Sequence, residues 1–177
     1  MTGFPTVPGL ECRLDDETLQ LAAQVVAAAA AAGLTLATAE SLTGGLLGAA
    51  ITSVPGASVI YRGGLITYAT DLKHSLGGVD AEILAFDGAV SAPAVEALAA
   101  GAARVCGADV GLGLTGVAGP GEQEGHPAGT VFLGWYAGES GRQRLRLGGD
   151  RAEIRRTAVT SALRRVLDIM KVPPGIA

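Results

Sequence analysis

The chain has 177 residues, 49% of them apolar, with 27 glycines, 4% aromatics and a formal charge of −4 from 13 basic and 17 acidic side chains. That length fits one globular domain, since domains hold about 100 to 200 residues. The acidic balance supplies no field for a polyanion, so direct nucleic-acid binding is not expected and any phosphate contact must be local.

Residues 1–13 carry Pro5, Pro8 and Gly9 without an apolar period and read as a loose leader, which leaves 14–172 as a single domain. The chain opens Met1-Thr2-Gly3-Phe4-Pro5 with no basic start or apolar h-region, and Cys12 and Cys106 are few and unpatterned. These features favour a reducing cytoplasm and no metal site. Asp15 or Asp16 can cap a helix through Leu19, Ala22, Val25, Val26 and Ala29 that stops at Gly33. Its apolar stretch 25–32 is too short for a bilayer, which needs about 20 residues, so no membrane span is expected.

An apolar strand over 34–38 runs into the turn Thr38-Ala39-Glu40-Ser41-Leu42-Thr43-Gly44-Gly45, and a small-residue helix over 44–52 follows, ended by Ser53-Val54-Pro55-Gly56. A second strand region spans 59–68 and contains Gly63-Gly64. A short helix begins near Thr70, a helical patch covers 80–86, and a longer helix over 92–106 ends at Gly107. Strands follow at 110–114, 130–136 and 142–147, the last two an antiparallel pair joined around 138–141. The final helix starts at Asp150, passes through Ile154, Ala158, Leu163 and Leu167, and stops before Pro173 and Pro174. Alternating helices and strands closed by a hairpin predict an α/β fold: a three-layer α/β/α domain with a mixed, mostly parallel sheet. Its small-residue helices are compatible with a homo-oligomer of unspecified symmetry.

Three polar islands each follow a strand, on the rim where open α/β sheets bind ligands. The first lifts Ser41 to the sheet edge. The second, Tyr68-Ala69-Thr70-Asp71-Leu72-Lys73, places a lysine where a helix start disfavours a cation: with Thr70 as N-cap, Lys73 is the third helical residue, and dipole and burial both push its pKa down. The third, Thr115-Gly116-Val117-Ala118-Gly119-Pro120-Gly121-Glu122, lets backbone N–H groups converge on an anion; it has neither a P-loop ending nor the dinucleotide G-x-G-x-x-G pattern. Taken singly, these are a helix cap, a surface lysine and a glycine turn. Together they form a candidate site.

The islands, with Gly88-Ala89-Val90-Ser91, Gly129-Thr130-Val131 and Gly149-Asp150-Arg151, resemble the CinA C-terminal domain family over nearly the whole chain after the leader. Stand-alone bacterial members of that family include nicotinamide-nucleotide amidases of the PncC type. The resemblance implies an anticodon-binding-domain-like fold, hydrolysis of nicotinamide mononucleotide to nicotinic acid mononucleotide and ammonia, and a place in pyridine nucleotide recycling. Two departures stand out: Thr70 replaces an asparagine, and His126-Pro127-Ala128-Gly129-Thr130 replaces a segment that begins with lysine.

As chemistry, the islands describe a serine amidase without a catalytic histidine, because His74 and His126 are the only two and neither adjoins the Ser41 motif. Ser41 attacks the carboxamide carbon, and Lys73 takes the hydroxyl proton directly or through Tyr68. Backbone N–H groups around 43–45 are the candidate oxyanion hole. Asp150-Arg151-Ala152-Glu153 has capping-box spacing, which puts Arg151 in a first helical turn for the phosphate. Substrate contacts are expected from Glu40, Thr43, Gly44, Gly45, Thr115, Gly116, Ala118, Gly119 and Arg151, with no cofactor. The departures keep two rivals open, a noncatalytic nucleotide-binding module and a competence-associated interaction protein.

Overall fold

The computed structural model describes residues 14–171; the leader expected over 1–13 and the prolines at 173 and 174 lie outside them. Asp15 starts the first helix, α1 (Asp16–Ala32), by accepting the Thr18 N–H at 2.9 Å, and Gly33 closes it in the left-handed region. The Leu34 N–H turns back to the Ala29 carbonyl in that closing turn. Strand β1 therefore begins two residues later than expected and spans Leu36–Glu40. After it come α2 (Leu46–Thr52), a 3₁₀ turn (Ala57–Val59), β2 (Tyr61–Ile66), α3 (Thr70–Ser75) and α4 (Ala81–Phe86). The second half holds α5 (Ala92–Cys106), β3 (Val110–Gly116), β4 (Thr130–Ala137), β5 (Glu139–Arg146) and α6 (Arg151–Lys171).

The five strands form one sheet in the order β2-β1-β3-β4-β5, with β1 parallel to both β2 and β3, and β4 antiparallel to β3 and β5. The sheet is mixed, as expected: only β4 runs against the others, while parallel and antiparallel pairings are equal in number. Alternate residues of a strand face opposite sides, and here the two sides carry different cores. Leu36, Leu112, Leu114 and Leu133 pack with Val25, Leu47, Ile51, Ile154 and Leu163 under α1, α2 and α6. Ala37 and Ala39 pack with Ala94, Leu98 and Ala102 of α5, behind which α3 and α4 lie.

On the α5 side the contact is unusually close. Gly113 and Gly134 are register partners, and a Cβ on Gly113 would stand 2.6 Å from the Val95 carbonyl oxygen and 3.0 Å from the Ala99 nitrogen, both in α5. The helix rests on bare backbone because these strand positions carry no side chain.

The parallel strands end in line: Glu40 is opposite Ile66 on one side and Leu114 on the other. Two bonds beyond the ladders extend this registration, from Ser41 N–H to Leu114 O and from Thr67 N–H to Glu40 O, each 2.9 Å. The segments leaving β1, β2 and β3 thus share one rim.

Candidate active site

A cavity of about 270 Å³ opens at this rim. Ser41, Tyr68, Lys73, Thr115, Gly116, Ala118, Gly119 and Arg151 line it, together with Leu42, Ala89, Val90, Val117, Gly121, Glu122 and Gln123. The three islands therefore meet, joined by the start of α6.

Lys73 is 2% exposed, and its Nζ lies 3.1 Å from Ser41 Oγ, 2.8 Å from the Thr67 carbonyl oxygen and 3.5 Å from that of Tyr68. An ammonium has three N–H donors, and three acceptors are present. When one proton leaves, the two carbonyls can keep the remaining N–H groups and the lone pair faces Ser41. Burial pushes the Lys73 pKa below the usual lysine range, opposed by the negative charge of Glu124. The expected dipole contribution does not apply, because Ala69, not Thr70, is the N-cap, and Lys73 is the fourth residue of a six-residue helix, in its last turn. Desolvation is what disfavours the charge.

The turn after Ser41 differs from the expected oxyanion hole. The Gly44 N–H donates to the Ser41 carbonyl at 3.0 Å, and the Gly45 N–H to Glu40 Oε2 at 3.0 Å. Glu40 is 1% exposed and also accepts the Leu47 N–H at 3.1 Å and the Gly48 N–H at 2.8 Å. Its carboxylate seals the start of α2, where a negative charge is favoured. Glu40, Thr43, Gly44 and Gly45 stand outside the cavity lining.

Arg151 donates through Nη1 to the Gly119 carbonyl at 2.8 Å and through Nη2 to the Tyr68 hydroxyl at 3.0 Å, bridging the second and third islands. The capping box behind it forms as expected: Asp150 Oδ1 accepts the Ala152 and Glu153 N–H groups, and Glu153 Oε2 accepts the Asp150 N–H. Of the two proton routes, the geometry holds the direct one, since Tyr68 meets Lys73 through its main-chain carbonyl and turns its hydroxyl to Arg151. The buried Thr115 hydroxyl donates to the Ala89 carbonyl at 2.7 Å, tying the third island to the segment before α5.

Neither histidine lines the cavity. His74 bonds the Val79 carbonyl through Nδ1, and His126 sits edge-on to Phe132, with ring centroids 6.0 Å apart. Thr70 is exposed at the start of α3. Sequence reasoning missed the wall formed by Ala89 and Val90, although their motif was visible, and missed Arg155, which sits four residues after Arg151 on the same face of α6. Among the described residues, no group of three or more His, Cys, Asp or Glu side chains can hold a metal ion, and no helix is long and apolar enough to cross a membrane.

Residues 18–170 match the family model described as the CinA C-terminal domain. A CinA-like protein of Frankia casuarinae is 53% identical over 73% of this chain, and a putative competence-damage inducible protein of Limosilactobacillus fermentum is 50% identical over 66% of it. The chain spans 30% and 28% of those proteins' lengths. Among solved structures, a competence-damaged protein (CinA) superfamily protein from Klebsiella pneumoniae 700603 superposes with a TM-score of 0.85 at 35% identity, covering 87% of this chain and 98% of that one. A competence/damage inducible protein from Agrobacterium tumefaciens gives 0.85 at 34% identity, covering 90% and 99%. The match to the family model over most of the chain and the likeness of its fold to these solved structures agree: the chain belongs to the CinA C-terminal domain family.

Proposed function

We propose that the chain is a nicotinamide-nucleotide amidase, converting nicotinamide mononucleotide and water to nicotinic acid mononucleotide and ammonia. The observation that carries this reading is the buried Lys73 amine 3.1 Å from the Ser41 hydroxyl inside the cavity. A hydroxyl is a weak nucleophile until a base within hydrogen-bond reach accepts its proton, and a lysine whose pKa is lowered by desolvation gives up its own proton more readily and suits that role. In this reading Ser41 Oγ bonds to the carboxamide carbon as its proton passes to Lys73. The tetrahedral adduct then expels nitrogen, which takes that proton from Lys73 and leaves as ammonia. Water attacks the resulting ester with Lys73 again as base; the C–O bond to Ser41 breaks, and the proton returns to Oγ.

The N–H groups of Gly44 and Gly45 are already committed, and that of Val117 donates to Thr130 O at 2.8 Å, so the oxyanion is assigned to main chain that lines the cavity at Leu42, Gly116, Ala118 and Gly119. Arg151 has N–H groups beyond the two it spends on Gly119 and Tyr68, and these suit a phosphate at the start of α6. The half-exposed Tyr68 ring offers a face to a cationic pyridinium.

The test is incubation of the purified protein with nicotinamide mononucleotide, following ammonia and the acid product beside S41A. Release by the wild type and none by S41A is the expected result. Binding without release would replace the amidase by the noncatalytic nucleotide-binding module, and neither binding nor release would end the reading.

A further inference from the structure

Ser41 lies at the head of a turn whose main chain is held from two sides by buried or half-buried charge. Glu40 takes amide hydrogens at its far end, from Gly45, Leu47 and Gly48. Arg155, half-buried on α6, takes the carbonyl oxygens at its near end: Nε donates to Leu42 O at 3.0 Å and Nη2 to Thr43 O at 2.7 Å. Its neighbours on the helix behave differently. Arg156 pairs with Asp15 and Arg164 with Glu17, both tying α6 to α1, whereas Arg155 forms no ion pair among the described residues. It does not line the cavity either. A guanidinium that leaves bulk water and spends two of its fixed donors on consecutive carbonyls fixes the orientation of two consecutive peptide planes.

Those planes begin one residue after Ser41. The Ser41 carbonyl is itself tied to Gly44 N–H, inside the segment that Arg155 and Glu40 hold. The Ser41 N–H is tied to Leu114 O on β3. With both backbone groups of Ser41 fixed, the direction of its Cβ is fixed and only χ1 is left to place Oγ, in the rotamer that meets the Lys73 amine entering from α3 on a different element. We infer that Arg155 is a positioning residue for the Ser41 hydroxyl: by gripping the Leu42 and Thr43 carbonyls it holds Oγ against the Lys73 amine, without touching substrate. This rests on the reading of Ser41 as nucleophile.

The experiment compares wild type, R155M and R155K in steady-state hydrolysis of nicotinamide mononucleotide, with Tm measured on each. R155M keeps the apolar stem and removes both donors. The expected result is a fall in kcat of about thirtyfold or more for R155M, with KM within about twofold of wild type, and an intermediate kcat for R155K, whose single ammonium cannot reproduce the fork. A residue that merely glued α6 to the turn would lower Tm and leave the kcat of folded enzyme unchanged. R155M that folds and turns over within twofold of wild type overturns the inference, as does a loss confined to KM. If R155M does not fold, R155K decides: reduced kcat at unchanged KM supports the inference, and wild-type kcat overturns it. A wild type inert towards this substrate ends the amidase reading and the inference with it, whereas an active wild type matched by R155M removes the inference alone.

Discussion

Glu124 Oε2 accepts the Val90 N–H at 2.8 Å, fixing a carboxylate behind one wall of the cavity that the buried Lys73 also lines. Burial lowers the Lys73 pKa and the Glu124 charge raises it. The proposed hydrolysis uses the neutral amine as base, so kcat/KM should climb with pH through a pKa below the usual lysine range and then level off. E124Q removes the opposing charge while its amide oxygen can still accept from Val90. The rising limb should move to lower pH, with the plateau little changed. An unmoved limb would mean that another group governs the profile.

The same burial leaves a mark on stability. With the native pKa of Lys73 lowered, there is a pH window up to the ordinary lysine value in which the unfolded chain holds a proton that the native chain has released. Stability rises with pH wherever the unfolded state binds more protons. The cost of the buried charge is fully present below the native pKa and fades above it. Denaturant titrations of wild type and K73M across the alkaline range should therefore show the wild type gaining on the variant as pH rises. A constant difference would show that the amine is not desolvated.

Arg151 faces the cavity from the first turn of α6 and is the cation assigned to the phosphate. R151M should raise KM for nicotinamide mononucleotide about tenfold or more and change kcat less, the pattern of a lost uniform binding contact. Nicotinamide riboside, which lacks the phosphate, should be hydrolysed about equally by both proteins. A similar loss with the riboside would place the guanidinium near the reacting carboxamide.

Gly113 has no room for a methyl group against Val95 and Ala99. Overpacking a tight core costs about 1 to 3 kcal/mol, so G113A should lower Tm by several degrees, at about 2 to 4 °C per kcal/mol for a chain of this size. Thermal unfolding checks this directly.

Elements with signals at both ends were readable from sequence. Ser91 and Gly107 bound α5, and the structure uses both, Ser91 accepting the Ala94 N–H and Gly107 adopting positive φ. β1 lies two residues beyond the apolar run at 34–38 because Leu34 belongs to the closing turn of α1, while the polar Glu40 stays in the sheet because Ile66 and Leu114 pair beside it. β5 begins at Glu139, where no apolar alternation exists, because β4 supplies a complete ladder after the single residue Gly138. Ser41, Tyr68 and Lys73 could be placed together because they belong to loop segments that follow strands ending on one rim, and Arg151 was marked by the capping-box spacing that opens α6. The work of Glu40 and Arg155 could not be read, since both act on main-chain groups whose directions exist only once the turn is folded.

The glycine seam beneath α5 also sets a dimension of the pocket. Ala89 and Val90 lead directly into α5 and form part of the cavity wall, and the first half of that helix is seated on Gly113 and Gly134. These two positions act as a spacer of zero thickness. A relative with alanine or serine there would have to lift the helix, carrying the wall outward, so the width of the mouth is written in the middle of the sheet, at positions that do not themselves line the cavity.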